Sequence, residues 1–179
     1  MVTLTPADYL SPPQAPTYEA FLNALRAQSA YVNIDTITQP NGEIRGQLDA
    51  PLLFSGMLSG DQEVPPVDTT ASGRGQVVIT ADRTRMRFAL AVSDLTAAEI
   101  TQAHIHVAPP GENGPVTFFL SNGGFTNLRL GTLTPSDFLS SPDVPSYDDF
   151  VDALLGGFTY MNVHTMTHMD GEIRGQMEE

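Results

Sequence analysis

An internal repeat constrains this chain more than any other feature. Residues 4–47 recur without a gap as residues 133–176, and about half of the paired positions are identical. LTPADYL returns as LTPSDFL, YVNIDT as YMNVHT and NGEIRGQ as DGEIRGQ. The repeating unit is therefore about 129 residues long. The chain holds the second half of one copy, residues 1–47, followed by a complete copy, residues 48–179. Half of a β-sandwich has open sheet edges and an apolar face to cover. Residues 1–47 are thus expected to lean on the complete domain, to pair with another chain, or to belong to a longer array. The interaction this predicts is strand exchange between copies, giving a homo-oligomer or filament through the half-repeat.

The chain is 41% apolar, enough to bury a core, but no apolar run approaches the eighteen or so residues that cross a bilayer, so no membrane insertion is expected. Met1-Val2-Thr3 runs straight into a polar loop, so the signal of an exported protein is expected to lie upstream or to have been removed. A formal charge of −13, with eight arginines and no lysine, argues against nucleic acid and against anionic lipid surfaces as partners. With no cysteine, disulfides, thiolate metal sites and thiol nucleophiles are excluded together.

In the complete copy, 51–60, 75–81, 85–93, 102–108, 115–120, 158–165 and 171–177 read as short strands separated by turn-rich segments. Met86, Phe88, Leu90 and Val92 alternate with Arg85 and Arg87, the period of a half-buried strand. Over 147–155, Phe150, Val151 and Leu154 fall at helical spacing. Ser146 is placed as the N-cap, Asp148 and Asp149 as first-turn charge, and Gly156-Gly157 as the stop. About seven strands with one short helix in a crossover predict an all-β, Greek-key β-sandwich, immunoglobulin-like or Cu,Zn superoxide dismutase-like.

All four histidines lie in two segments: His104 and His106 on one strand, His164 and His168 at or just after another. Side chains at i and i+2 share a strand face, so His104 and His106 project together while Ala103, Ile105 and Val107 face the core. By the same period Tyr160, Asn162 and His164 share a face, as do Glu172, Arg174 and Gln176. If these strands are neighbours, the histidines converge outside the core. His-x-His plus a third histidine from another strand is a common way to hold copper or zinc, and a nitrogen-rich site without thiolates favours copper. The expected metal ligands are His104, His106 and His164, with His168, in the connection, as a fourth.

The half-repeat is an internal control. Asp35 stands where His164 does and Gln39 where His168 does, whereas Gly42-Glu43-Ile44-Arg45-Gly46 keeps the GEIRG motif. The glutamate and arginine of that motif are therefore read as structural, forming a local ion pair or a loop clamp. Asn33 and Asn162, also kept in both halves, are expected to bond backbone. Glu112, in the turn Gly111-Glu112-Asn113-Gly114-Pro115, is expected to be solvated.

FSGMLSGDQEVPPVDTTASGRG (54–75), AHIHVAPPGENGPVTFFL (103–120) and YMNVHTMTHMDGEIRGQ (160–176) resemble the signature blocks of the CHRD (chordin-type) module. One departure is His168-Met169, where the module commonly has a proline before the turn, as Pro40 is in the half-copy. The resemblance implies an extracellular or cell-surface β-sandwich module and no single biochemical activity. Three functions follow as expectations. The first is an extracellular module that binds copper, or alternatively zinc, and acts in matrix, adhesion or assembly. The second is a purely structural tandem repeat that self-associates by strand exchange. The third is a superoxide dismutase-like copper enzyme with Arg174 handling an anion. Against the enzyme stand the net charge and the persistence of that arginine, as Arg45, in a half-copy without histidines.

Overall fold

The computed structural model describes residues 5–27, 29–48 and 51–179. The chain divides into two compact units, 1–51 and 52–179.

The first unit contains a single turn of 3-10 helix, a helix and a hairpin. Helix α1 (Tyr18–Arg26) is capped by Thr17, whose hydroxyl accepts from the Ala20 amide at 3.1 Å. Strands β1 (Tyr31–Ile34) and β2 (Ile44–Gln47) pair antiparallel with each other and, among the described residues, with no other strand.

The second unit is one antiparallel sheet of eight strands: β3 (Leu52–Ser59), β4 (Ser72–Ile79), β5 (Met86–Ser93), β6 (Ile100–Val107), β7 (Val116–Ser121), β8 (Leu128–Leu133), β9 (Thr159–Thr165) and β10 (Ile173–Gln176). Their order in the sheet is β7-β6-β9-β10-β3-β4-β5-β8. The sheet is nearly closed on itself, with Arg129 Nε of one edge strand donating to the Leu120 carbonyl of the other at 3.1 Å. The architecture is all-β, as the turn spacing predicts. The last strand returns to pair beside the first, Arg174 opposite Ser59.

Helix α2 (Tyr147–Leu155) lies in the β8–β9 crossover, capped by Ser146 accepting from the Asp149 amide and closed by Gly156 and by Gly157 at φ +73°. It buries Phe150, Val151 and Leu154, the predicted stripe. Phe150 packs against Phe118 with ring centroids 5.0 Å apart, within a cluster that also holds Phe138 and Tyr147. The apolar faces of the strands, among them Phe54, Leu58, Phe88, Leu90, Ile105 and Val163, complete the core.

One strand, β8, was not anticipated. Its sequence LRLGTL leaves Leu128 and Leu130 exposed at the sheet edge, so its alternation does not mark a buried face. The polar faces of β6, β9 and β10 hold a second departure. They lie outside the apolar core as expected, but they are not bathed in solvent, because His104, His106, Asn162, Glu172 and Arg174 are all buried. Segments 60–67 and 109–114 roof them, joined by Asn113 Nδ2 donating to the Val64 carbonyl at 2.8 Å.

The two halves of the repeat adopt matching structures. The pairs Tyr31↔Gln47, Val32↔Gly46, Asn33↔Arg45 and Ile34↔Ile44 reappear in the same register as Tyr160↔Gln176, Met161↔Gly175, Asn162↔Arg174 and Val163↔Ile173. Even the capping box of Thr5 and Asp8 recurs as Thr134 and Asp137.

Phe150→Ala removes a fully buried ring and is expected to destabilise the 52–179 unit by about 3–5 kcal/mol in urea denaturation. Phe21→Ala, at the equivalent place on a helix with no buried residue, leaves that transition unchanged.

Candidate metal centre

Strand pairing alone assembles the site. β9 lies between β6 and β10, with Gln102 opposite His164, His104 opposite Asn162 and His106 opposite Tyr160. Directly paired residues share a sheet face, so the three histidines gather on the polar side. Their ligand atoms all lie within 4.8 Å of one another.

The hydrogen bonds fix which nitrogen of each ring carries the proton. A carbonyl oxygen only accepts, so His106 Nδ1, 2.9 Å from the Gly114 carbonyl, is the protonated nitrogen. The same holds for His164 Nδ1, 2.9 Å from the Met169 carbonyl. His164 Nε2 is then an acceptor, and His104 Nδ1 donates to it at 3.0 Å. Each histidine is left with a lone pair on Nε2, and those of His104 and His106 are buried with no partner. Asn162 Oδ1 and Glu63 Oε1 are also buried acceptors without a donor. These four buried atoms share one deficit: none has a hydrogen-bond partner. Buried polar groups are almost always satisfied, so a cluster of unsatisfied acceptors suits a cation.

The electrostatics keep the ligands neutral. Burial, together with the neighbouring His164 and His106, pushes His104 down from 6.5 to about 4. Burial likewise lowers His106 and His164 below their ordinary value, against the opposing pull of their carbonyl bonds. Neutral imidazole is the metal-binding form.

Packing holds the rings in place. His106 stacks on Tyr160 at 4.7 Å and 7°, and the Arg174 guanidinium covers the other side of Tyr160, 3.5 Å from its centroid. Arg174 also donates to the carbonyls of Glu112 at 2.7 Å and Pro109 at 3.3 Å, and to Asn113 Oδ1 at 3.3 Å. It is the loop clamp the motif suggested, holding the turn whose Gly114 carbonyl orients His106. Its guanidinium is committed to that loop and to Tyr160, so no geometry supports casting it as an anion-handling group. The half-copy keeps the stack, with Arg45 3.5 Å from the Tyr31 centroid.

His168 does not join the other three. Its Nδ1 lies 3.3 Å from Glu172 Oε2, in a separate cluster where Glu172 accepts from Thr69 at 2.7 Å and Thr165 at 2.6 Å. Burial raises the Glu172 carboxyl, but the bonds from Thr165, Thr69 and His168 outweigh it and hold the group below its ordinary value. Glu172 and Arg174 therefore have separate partners and form no ion pair with each other. Asn162 departs from expectation too: its amide sits on the polar face between Glu63 and His106, close enough to influence the charge of both, rather than bonding backbone.

Glu63 is the site residue that sequence reasoning missed. It descends from the 60–67 roof, is 5% exposed, and is raised to about 7 by burial, against the opposing influence of Arg174 and Asn162. Gly171, at φ +132°, leaves room for it; a Cβ there would stand 2.5 Å from Glu63 Oε1. The only sequence signal was the second of two acids inside DQEVPP.

The sign of the Glu63 contribution follows from its raised value. A carboxyl lifted from 4.5 to about 7 contributes stability below pH 4.5 and loses it as the pH rises towards 7. In chelator-treated protein, Glu63→Gln is expected to raise Tm relative to wild type by about 5 °C at pH 8, and by much less at pH 5. His104 acts oppositely: its contribution is complete above 6.5 and falls as the pH drops towards 4, and the lowered His106 and His164 act with the same sign.

Comparison with known proteins places the chain in a family. The CHRD domain profile matches residues 2–48 and 54–177. Chordin of Xenopus laevis is 30% identical over 173 residues, covering 87% of this chain and 17% of chordin. The chain thus spans about a sixth of the length of that relative. No solved structure matches. With nearly its whole length matched by that profile, the chain belongs to the CHRD domain family.

Proposed function

We propose that residues 52–179 form an extracellular CHRD module that holds one transition-metal ion between His104, His106 and His164. His106 and His164 bind through Nε2, and His104 through a ring nitrogen. The observation that carries this reading is the convergence of neutral histidine lone pairs, two of them buried without any donor, on one face of the β6–β9 pair. The carbonyls of Gly114 and Met169 take the remote ring protons, as backbone carbonyls commonly do behind metal-ligating histidines. An all-nitrogen donor set without thiolate favours copper over zinc by the Irving–Williams order. Kinship with chordin supports an extracellular setting, and the role we assign the module there is in matrix, adhesion or assembly.

A thermal-shift titration tests the proposal. Cu(II) or Zn(II) at a hundredfold excess over Kd is expected to stabilise the 52–179 unit by about 2.7 kcal/mol, or roughly 10 °C in Tm. His106→Ala and His164→Ala abolish the shift, and His168→Ala retains it. A wild-type melt indifferent to both metals, or a shift that survives His164→Ala, overturns the proposal.

A further inference from the structure

The β1–β2 hairpin is the same object as the β9–β10 hairpin in a different setting. Register, the arginine–tyrosine stack and the bond from the motif threonine to the motif glutamate all coincide; Thr36 donates to Glu43 at 2.6 Å, and Thr165 to Glu172 at 2.6 Å. In the complete domain β6 pairs with the free edge of β9 and β3 with that of β10, and Met161, Val163 and Ile173 are 0% exposed. At the equivalent positions of the half-copy Val32 is 49%, Ile34 50% and Ile44 61% exposed. The second hairpin shows what covers the first: strands of the β3 and β6 kind, from the first half of a repeat.

A second copy of this chain does not supply them. Among the described residues each copy carries two hairpins of the β9–β10 kind and one set of β3–β8 strands, which its own β9–β10 already fills. Exchange between copies covers one hairpin only by uncovering another, so the number left open is conserved. We infer that the β1–β2 hairpin is a docking surface for a polypeptide of the β3–β8 kind that lacks a closing hairpin of its own. The unit completed in this way carries Asp35, a carboxylate, at the place of His164. This inference does not depend on metal binding.

The test supplies the missing half to the intact chain. A second copy of residues 51–131 is fused ahead of Thr3, the position equivalent to Thr132, and amide hydrogen exchange is followed by NMR. The amides of β1 and β2 are expected to slow by about 100-fold or more, towards the protection of β9 and β10. V32D with I44D removes that protection and leaves the 52–179 unit untouched. Hairpin amides that exchange as they do without the fusion, or an added segment that stays unstructured, overturn the inference. Protection that appears in the unfused chain as its concentration rises also overturns it, because a second copy would then be the occupant.

Discussion

The register between β6 and β9 is the constraint on which the site depends. With His104 opposite Asn162 and His106 opposite Tyr160, every aliphatic residue of both strands falls on the core side and every histidine on the other. A slip of one residue would turn outward either Ile105 of β6 or Met161 and Val163 of β9, and would bury the histidines of the shifted strand among hydrocarbon. The hydrophobic pattern that selects the fold therefore also selects the triad. Register irregularities in the β6–β7 pairing at Ala103/His104 and Ile105/His106 locally re-aim this strand, and His104 meets Phe119 edge-on at 4.8 Å.

What the register gathers, the roof organises. Arg174 is fully buried, yet its charge is spread over a tyrosine face and the carbonyls of residues 109 and 112. One cationic side chain thus draws down the turn that supplies the Gly114 carbonyl, and that carbonyl sets the His106 tautomer. Glu63 arrives from the other roof segment into space that the half-copy uses differently. There a Cβ on Gly42, at φ +118°, would stand 2.6 Å from Asn33 Oδ1, the counterpart of Asn162. The hairpin is thus a common frame, and the first half of the repeat adds His104, His106 and Glu63 to it.

Much of this was legible in the sequence because it is periodic. Alternation placed β5, β6 and β9, helical spacing placed α2 with its serine cap, and the i, i+2 rule put His104, His106 and His164 on one side. The repeat foretold that the GEIRG arginine would be structural. What stayed hidden depended on long-range placement. Glu63 meets Asn162 across about a hundred residues, and nothing in DQEVPP announces that a proline-rich loop will lie over a sheet. His168 was grouped with His164 by proximity in sequence, whereas a tight turn brings it to Glu172. The strand β8 has an exposed edge, so neither of its faces carries the burial signature that a sequence reader needs.

The proposed metal site rests on three neutral imidazoles whose fixed tautomers turn a nitrogen face to one point. Long-range proton–nitrogen NMR of the histidine rings tests this most directly, recorded before and after one equivalent of Zn(II). Nδ1–H tautomers are expected for His106 and His164 in the metal-free protein, followed by zinc-induced shifts at their Nε2 and at one nitrogen of His104, with His168 unmoved. Protonated rings at neutral pH, Nε2–H tautomers, or a zinc response confined to His168 would contradict it.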